Sequence, residues 1–389
     1  MRNSIFLMYT LLFATTLAAE EKFQIEHGPY LQQVTEEGAT IVWTTNRKAV
    51  SWLELAPDDN THFYAEARPK FFETNSGRKA IGTLHKIRIN GLKPGTSYRY
   101  RIFSSEVLGG NKRESSASPF YGATASTNVF RKAPLSFKTP DASKAGIHFA
   151  VVNDIHEDNQ LLSSLLKQVD TKNLDFIAFN GDMVSNMDSE KQIFDGFINT
   201  AVTTFASELP FFYARGNHET RGFFAGEYTR YFPTPTGQPY YTFRQGPVFF
   251  IVLDAGEDKP DDDIEYKNLA AYDDYRATQA KWLEETLQSD AFKQAPVKIV
   301  FIHVPPSDGW YGERQVRRLF LPLLNDAGID LALSGHWHTH RYYPKGEEQY
   351  NFPLLVNANK HIVDIQVNQN TISVRILTED GKLFKEIHP

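Results

Sequence analysis

Ile147-His148-Phe149-Ala150-Val151-Val152-Asn153-Asp154-Ile155-His156 is an apolar run that stops abruptly at a carboxylate and an imidazole. Its unbroken apolar part reads as a strand of a parallel sheet, where both faces are covered and no alternation is required. The same grammar recurs four times. Asp175-Phe176-Ile177-Ala178-Phe179 leads into Gly181-Asp182, and Pro210-Phe211-Phe212-Tyr213-Ala214 into Gly216-Asn217-His218-Glu219. Val297-Lys298-Ile299-Val300-Phe301-Ile302 leads into His303-Val304-Pro305, and Asp330-Leu331-Ala332-Leu333 into Gly335-His336-Trp337-His338. Helical spacing separates them: Leu161, Leu162, Leu165 and Leu166 within 159–169, a pattern over about 189–209, and another over 313–326. Crossovers of this length join parallel strands. In an open parallel sheet the carboxyl ends of the strands share the edge where ligands bind, so the five clusters are expected to meet there.

The residue types suit metal ions. Asp154, Asp182 and the Asn217 side-chain carbonyl offer hard oxygens, and His156, His303, His336 and His338 offer imidazole nitrogens. Such a mixed set fits Zn, Fe, Mn or Ni rather than Cu(I). Seven donors exceed what one open catalytic site uses; with Asp182 shared they make two ions of four ligands each. Two carboxylates against two divalent ions leave net positive charge for an anion, the logic of a two-metal hydrolase.

Composition agrees. Of 389 residues, 41 are Lys or Arg and 47 Asp or Glu, so the formal charge of −6 offers no broad basic surface for nucleic acid. With 29 Phe and 18 Tyr the chain is too apolar to be disordered, and with no Cys it has no thiol chemistry and no Cys-ligated metal. At the N-terminus Arg2 precedes the apolar run Ile5 to Leu17, which is shorter than the roughly 20 residues a membrane span needs and ends in Ala18-Ala19. Residues 1–19 are therefore read as a secretory signal, and the mature chain as exported, without a membrane span.

Between the signal and about Thr139 the sequence is strands and turns. Ala39-Thr40-Ile41-Val42-Trp43-Thr44 is β-branched and aromatic, Tyr98, Tyr100 and Ile102 alternate with Arg99 and Arg101, and Asn90-Gly91-Leu92-Lys93-Pro94-Gly95-Thr96 is dense in turn formers. An all-β sandwich over 22–139 is expected, then a polar linker and an α/β domain of mixed sheets flanked by helices over 146–389. The segment Leu92-Lys93-Pro94-Gly95-Thr96-Ser97-Tyr98 resembles the fibronectin type III signature, with Tyr98 as its tyrosine corner.

The ordered set Asp-x-His, Gly-Asp, Gly-Asn-His-Glu, His and Gly-His-x-His resembles the calcineurin-like metallophosphoesterase superfamily. The N-terminal half, with Gly28-Pro29-Tyr30-Leu31-Gln32, is similar to the domain preceding the catalytic domain in purple acid phosphatases. The resemblance implies that Asp154, His156, Asp182 and His338 hold one ion and Asp182, Asn217, His303 and His336 the other, that a bridging hydroxide attacks phosphorus, and that His218 stabilises the transition state or protonates the leaving group. One departure matters: those phosphatases have a tyrosine where this chain has Ser185, and Gly where it has His156. The purple colour and a ferric first ion therefore do not carry over.

The reading implied is hydrolysis of phosphate monoesters of small molecules. A phosphodiesterase with the same centre, and a non-catalytic extracellular binding protein, are the alternatives. Arg215, Trp310 and Tyr311 are candidate substrate contacts, each with an equally good structural reading as a salt bridge or rim packing. The acidic run Glu257-Asp258-Lys259-Pro260-Asp261-Asp262-Asp263 reads as a solvated loop, and the histidines outside the motifs, such as His85 and His148, as structural.

Overall fold

The computed structural model describes residues 21–110, 119–127 and 133–389; the signal reading at 1–19 lies outside them. Among the described residues, 25–138 contain only strands and turns. The long strand Gly38–Pro57 organises this part, pairing with Ile25–Thr35 and Gly82–Asn90 along its first half and with Lys70–Phe72 and Ser97–Gly110 along its second. Leu31, Ile41, Trp43, Leu53, Ile87, Tyr100 and Ile102 close a core between these strands. The buried indole of Trp43 donates to Ser104 Oγ at 3.0 Å, so its one polar atom is satisfied. Tyr98 Oη accepts the Lys93 N–H at 2.9 Å, fixing the turn before its strand.

From Gly146 on, two six-stranded sheets stack face to face. The first runs 211–214, 176–180, 146–152, 361–368, 371–378, 383–387; the second runs 241–245, 248–253, 297–302, 331–334, 354–356, 341–343. The five strands that carry the motifs are thus divided three and two between two sheets, not gathered in one as their sequence implies. An apolar run reads the same whichever sheet receives it, so sequence pattern does not register the division. Phenylalanines fill the space between the sheets: Phe149 stacks on Phe176 at 4.7 Å and meets Phe250 edge-on at 5.4 Å. Helices cover the outer faces, Asn159–Leu166 on the first sheet and Tyr272–Gln288 and Tyr311–Leu319 on the second. The mixed α/β layering is the expected one. Two helices differ from their sequence pattern. The run 190–206 contains two π-helical turns, 194–198 and 202–206, and the pattern over 313–326 breaks at Phe320, after which Leu321–Asn325 forms a second short helix with Pro322 in its first turn.

The N-terminal strands dock on the first sheet's outer layer. Tyr30 Oη donates to Tyr231 O at 2.8 Å, Tyr100 Oη to Ser207 O at 2.6 Å, and His27 stacks on Phe194 at 4.2 Å. Two buried phenols each find a carbonyl across the junction, which fixes its register as well as its area.

Candidate metal centre

The carboxyl ends of the five strands do converge, because the two sheets present theirs side by side. Asp154 N–H donates to Gly181 O at 2.9 Å, His156 N–H to Asp182 O at 3.0 Å, and Gly335 N–H to His303 O at 2.9 Å. Asn180 Nδ2 reaches across to Leu333 O at 3.1 Å, tying one sheet to the other directly beneath the site.

The backbone pays a conformational cost here. Asp154 (φ +53°), His156 (+47°), Asp182 (+53°), His336 (+71°) and His338 (+55°) all lie in the left-handed region that L-residues avoid. Neighbouring glycines are dictated by proximity. A Cβ on Gly181 would overlap His303 Nδ1, one on Gly216 would overlap Asp182 Oδ1, and one on Gly335 would lie 2.6 Å from Asp154 Oδ2. Gly181 also has φ +86°, whereas Gly216 and Gly335 are not left-handed, so close approach rather than a tight turn requires them.

Three overlapping groups of donors result among the described residues: Asp154, His156 and His338; His156, Asp182 and His218; and Asp182, His303 and His336, each with its atoms within 4.8 Å of one another. Asn217 Oδ1 joins the third at 3.0 Å from His336 Nδ1. The Asp154 and Asp182 carboxylates are buried between them: His338 Nε2 is 3.1 Å from Asp154 Oδ1, and His303 Nε2 lies 3.0 Å from Asp182 Oδ2 and 3.8 Å from Asp154 Oδ1.

These residues fit metal ions on the structure's own terms. Asp154 Oδ1 and His303 Nε2 are buried without hydrogen-bond geometry and face only the other donors of the cluster, His338 Nε2 at 3.1 Å and Asp182 Oδ2 at 3.0 Å, an arrangement that a cation between them would satisfy. Asp154 Oδ2, by contrast, accepts from Asn153 Nδ2 at 2.6 Å and His336 N–H at 2.9 Å, so one oxygen is tethered and the other aimed inward. His156 Nε2 and His338 Nε2 converge to 3.2 Å. The electrostatics calls for positive charge: burial opposes it, yet Asp182 and Asp154 raise the His303 imidazole to about 10.

The clasp that holds the ligand loops together is Glu219, a residue of the Gly-Asn-His-Glu motif to which the sequence pattern assigns no role. Fully buried, it accepts from Met183 N–H at 2.7 Å, Val184 N–H at 3.3 Å and Tyr213 Oη at 2.7 Å on one oxygen, and from Asp182 N–H at 2.9 Å and Gly216 N–H at 2.8 Å on the other. Glu313 supports the other side: it is buried, accepts from Trp337 Nε1 at 3.1 Å and lies 3.5 Å from His336 Nε2. No motif announces that contact.

His218 is part-buried beside the cluster. Its Nδ1 lies 2.8 Å from Ser185 O, so Nδ1 carries the proton and Nε2 is the nitrogen left for chemistry. That Nε2 stands 3.9 Å from Asp182 Oδ2 and 3.5 Å from Arg221 Nη1. Of the candidate substrate contacts, Arg215 takes its structural alternative. Its buried guanidinium is held by Asp254 at 2.6 and 2.9 Å. Tyr311 Oη donates to Asp273 at 2.6 Å, while Trp310 stands 59% exposed with Lys259 over its ring. The acidic run is not simply a solvated loop. Glu257 and Asp258 are buried against Arg221, with Nε–Oε1 of Glu257 at 2.8 Å and Nη2–Oδ1 of Asp258 at 3.2 Å. The cation that draws them in comes from three residues beyond His218, and local sequence pattern cannot pair it with them.

Residues 147–340 match the calcineurin-like phosphoesterase family model. Purple acid phosphatase 21 of Arabidopsis thaliana is 27% identical over 70% of this chain and 55% of its own length. Mouse serine/threonine-protein phosphatase CPPED1 is 25% identical over 44% of this chain and 52% of its own length. The chain thus spans about half the length of these curated relatives. Among solved structures, the purple acid phosphatase PPD1 from yellow lupin seeds aligns over 92% of this chain and 73% of its own, with a TM-score of 0.64 at 15% identity, a likeness of fold. Fold and site together define a calcineurin-like metallophosphoesterase. Within that class the chain is purple acid phosphatase-like.

Proposed function

We propose that this chain is an exported, dinuclear metal-dependent phosphatase that hydrolyses phosphate monoesters. The observation that carries the reading is the set of overlapping donor groups meeting at the buried Asp154 and Asp182 carboxylates, with His218 Nε2 3.9 Å from Asp182 Oδ2. On this reading Asp154, His156, Asp182 and His338 hold one ion, and Asp182, Asn217, His303 and His336 the other. Fe, Mn, Zn or Ni bound there supplies positive charge to the phosphoryl oxygens and acidifies water. The chain's own residues do the rest. Asn153 and the His336 N–H tether one oxygen of Asp154 and leave the other for a cation. Ser185 O holds the proton on His218 Nδ1, so it is the imidazolium form that carries a second proton on Nε2 and passes it to the departing alcohol as the P–O bond to it breaks and water oxygen bonds to phosphorus, His218 being left neutral with Nδ1–H.

Residues 22–139 are read as a fibronectin type III-like domain, supported by the Tyr98 corner, preceding a catalytic domain over 146–389; residues 1–19 are read as its export signal. No helix among the described residues is long and apolar enough to cross a membrane.

The test is elemental analysis of the purified chain together with hydrolysis of p-nitrophenyl phosphate and its bis ester. About two equivalents of metal and faster monoester turnover are expected. Faster bis-ester turnover would transfer the reading to a diesterase. Absence of metal and turnover after reloading with Mn, Zn or Fe would overturn it.

A further inference from the structure

Beside His218 opens a cleft of about 570 Å³, within the range of small-molecule sites and larger than a phosphoryl group needs. Its lining adjoins His218 at Arg221, whose Nη1 is 3.5 Å from His218 Nε2, and includes Asn186, the residue after the carbonyl that holds His218 Nδ1.

The polar side chains lining it are largely engaged with one another. Arg221 is held by Glu257 at 2.8 and 3.0 Å, with Glu265 at 3.7 Å, and Arg215 is held by Asp254. Thr220 Oγ1 bonds Asn217 O at 2.7 Å and Glu257 at 2.8 Å, and Tyr266 Oη bonds Glu257 at 2.7 Å. Asp188 and Lys267, both exposed, add one charge of each sign. The apolar groups are in the opposite condition. Phe223 is 97% exposed and Leu269 83% exposed, and Tyr266 and Tyr272 line the same cleft. Single exposed apolar side chains are ordinary. Two large ones flanking one cleft that adjoins a catalytic histidine form a patch that a ligand can cover.

From this we infer that the cleft is the leaving-group subsite and that its occupant is an apolar alcohol, aryl or alkyl, esterified to phosphate. The inference rests on the phosphatase reading and names its substrate class. Sugar and nucleoside phosphates need unspent hydrogen-bonding groups to hold their hydroxyls and bases, and the interior of this cleft has committed most of its own. Phe223 and Leu269 gain contact area only from an apolar group, and that gain selects the substrate.

The experiment is calorimetric titration of the Mn-reloaded full chain with phenylphosphonate and with methylphosphonate, stable anions that differ in the group placed in the cleft. Phenylphosphonate is expected to bind about tenfold tighter or more. In the double variant Phe223→Ser, Leu269→Ser, two exposed positions whose replacement leaves the core intact, the two affinities should come within about twofold of each other. Equal affinities in the wild type, or an unchanged gap in the variant, would overturn the subsite. If neither phosphonate binds while manganese does, the phosphatase reading itself falls and the subsite falls with it.

Discussion

Replacing Glu219 by Gln changes one atom, and the structure says what that costs. The carboxylate serves three donors with one oxygen and two with the other. Glutamine keeps a single acceptor oxygen, and its best orientation gives that oxygen to Met183 N–H, Val184 N–H and Tyr213 Oη. The amide NH2 then faces Asp182 N–H and Gly216 N–H, two buried donors left without an acceptor. At about 1–3 kcal/mol for each stranded group, the loss is about 2–6 kcal/mol. One term opposes it. Burial and the neighbouring Asp182 push the Glu219 carboxyl above its usual range, so removing its charge relieves some repulsion. Two stranded N–H groups outweigh that partial relief. At roughly 2 °C per kcal/mol for a chain of this size, the thermal midpoint should fall by roughly 4–12 °C. Because the loops that part carry Asp182 and Asn217, metal affinity should fall too. The assay is a calorimetric melt of each protein paired with a zinc titration. A variant that melts within about 1 °C of wild type and binds zinc equally well would refute the clasp.

The remaining predictions concern single groups. His218→Ala should retain its metal while kcat drops by about 10²–10⁴, the usual contribution of general acid–base catalysis; metal loss on elemental analysis would mean that the side chain is a ligand instead. Gly181→Ala places a methyl group against His303 Nδ1 at φ +86°, so metal content should fall sharply, and a fully loaded variant would contradict the geometry. Stability should depend on His85, which burial lowers to about 4. The unfolded chain takes up its proton below about pH 6.5 and the folded chain only near 4, so stability is lost as pH falls through that window, by about 3 kcal/mol at most. Urea unfolding from pH 7 to 4 should show a shallower decline for His85→Asn than for wild type, and parallel curves would remove His85 from the account.

The chemistry of this chain was more legible in its sequence than the architecture that delivers it. Strand ends bearing Asp154, Asp182, Asn217, His303 and His336 stand out because polar clusters interrupt long apolar runs. The stacking of two sheets does not, since Phe149 and Phe250 would be equally apolar in one sheet or two. The burial of Glu257 and Asp258 was hidden for a different reason: an acidic run looks solvated until Arg221, far off in sequence, is seen to neutralise it. Glu219 sat in plain view within a motif, yet only the surrounding N–H groups reveal what it does. The junction with the N-terminal strands turns on Tyr30 and Tyr100 reaching carbonyls in the other half, and nothing local marks either phenol for that purpose.

The left-handed backbone at the strand ends has a consequence for how such a protein would decay. Asp154, His156, Asp182, His336 and His338 occupy torsion angles that glycine adopts without strain. Replacing His156 or His338, the two of the five whose side chains are most exposed, by glycine therefore removes a metal donor and at the same time relaxes the backbone, by about 1 kcal/mol per position. Selection for stability alone would erode the centre. The easiest descendants to reach are folded, durable and inert, and only continued demand for the reaction holds these imidazoles where the backbone would rather have no side chain at all.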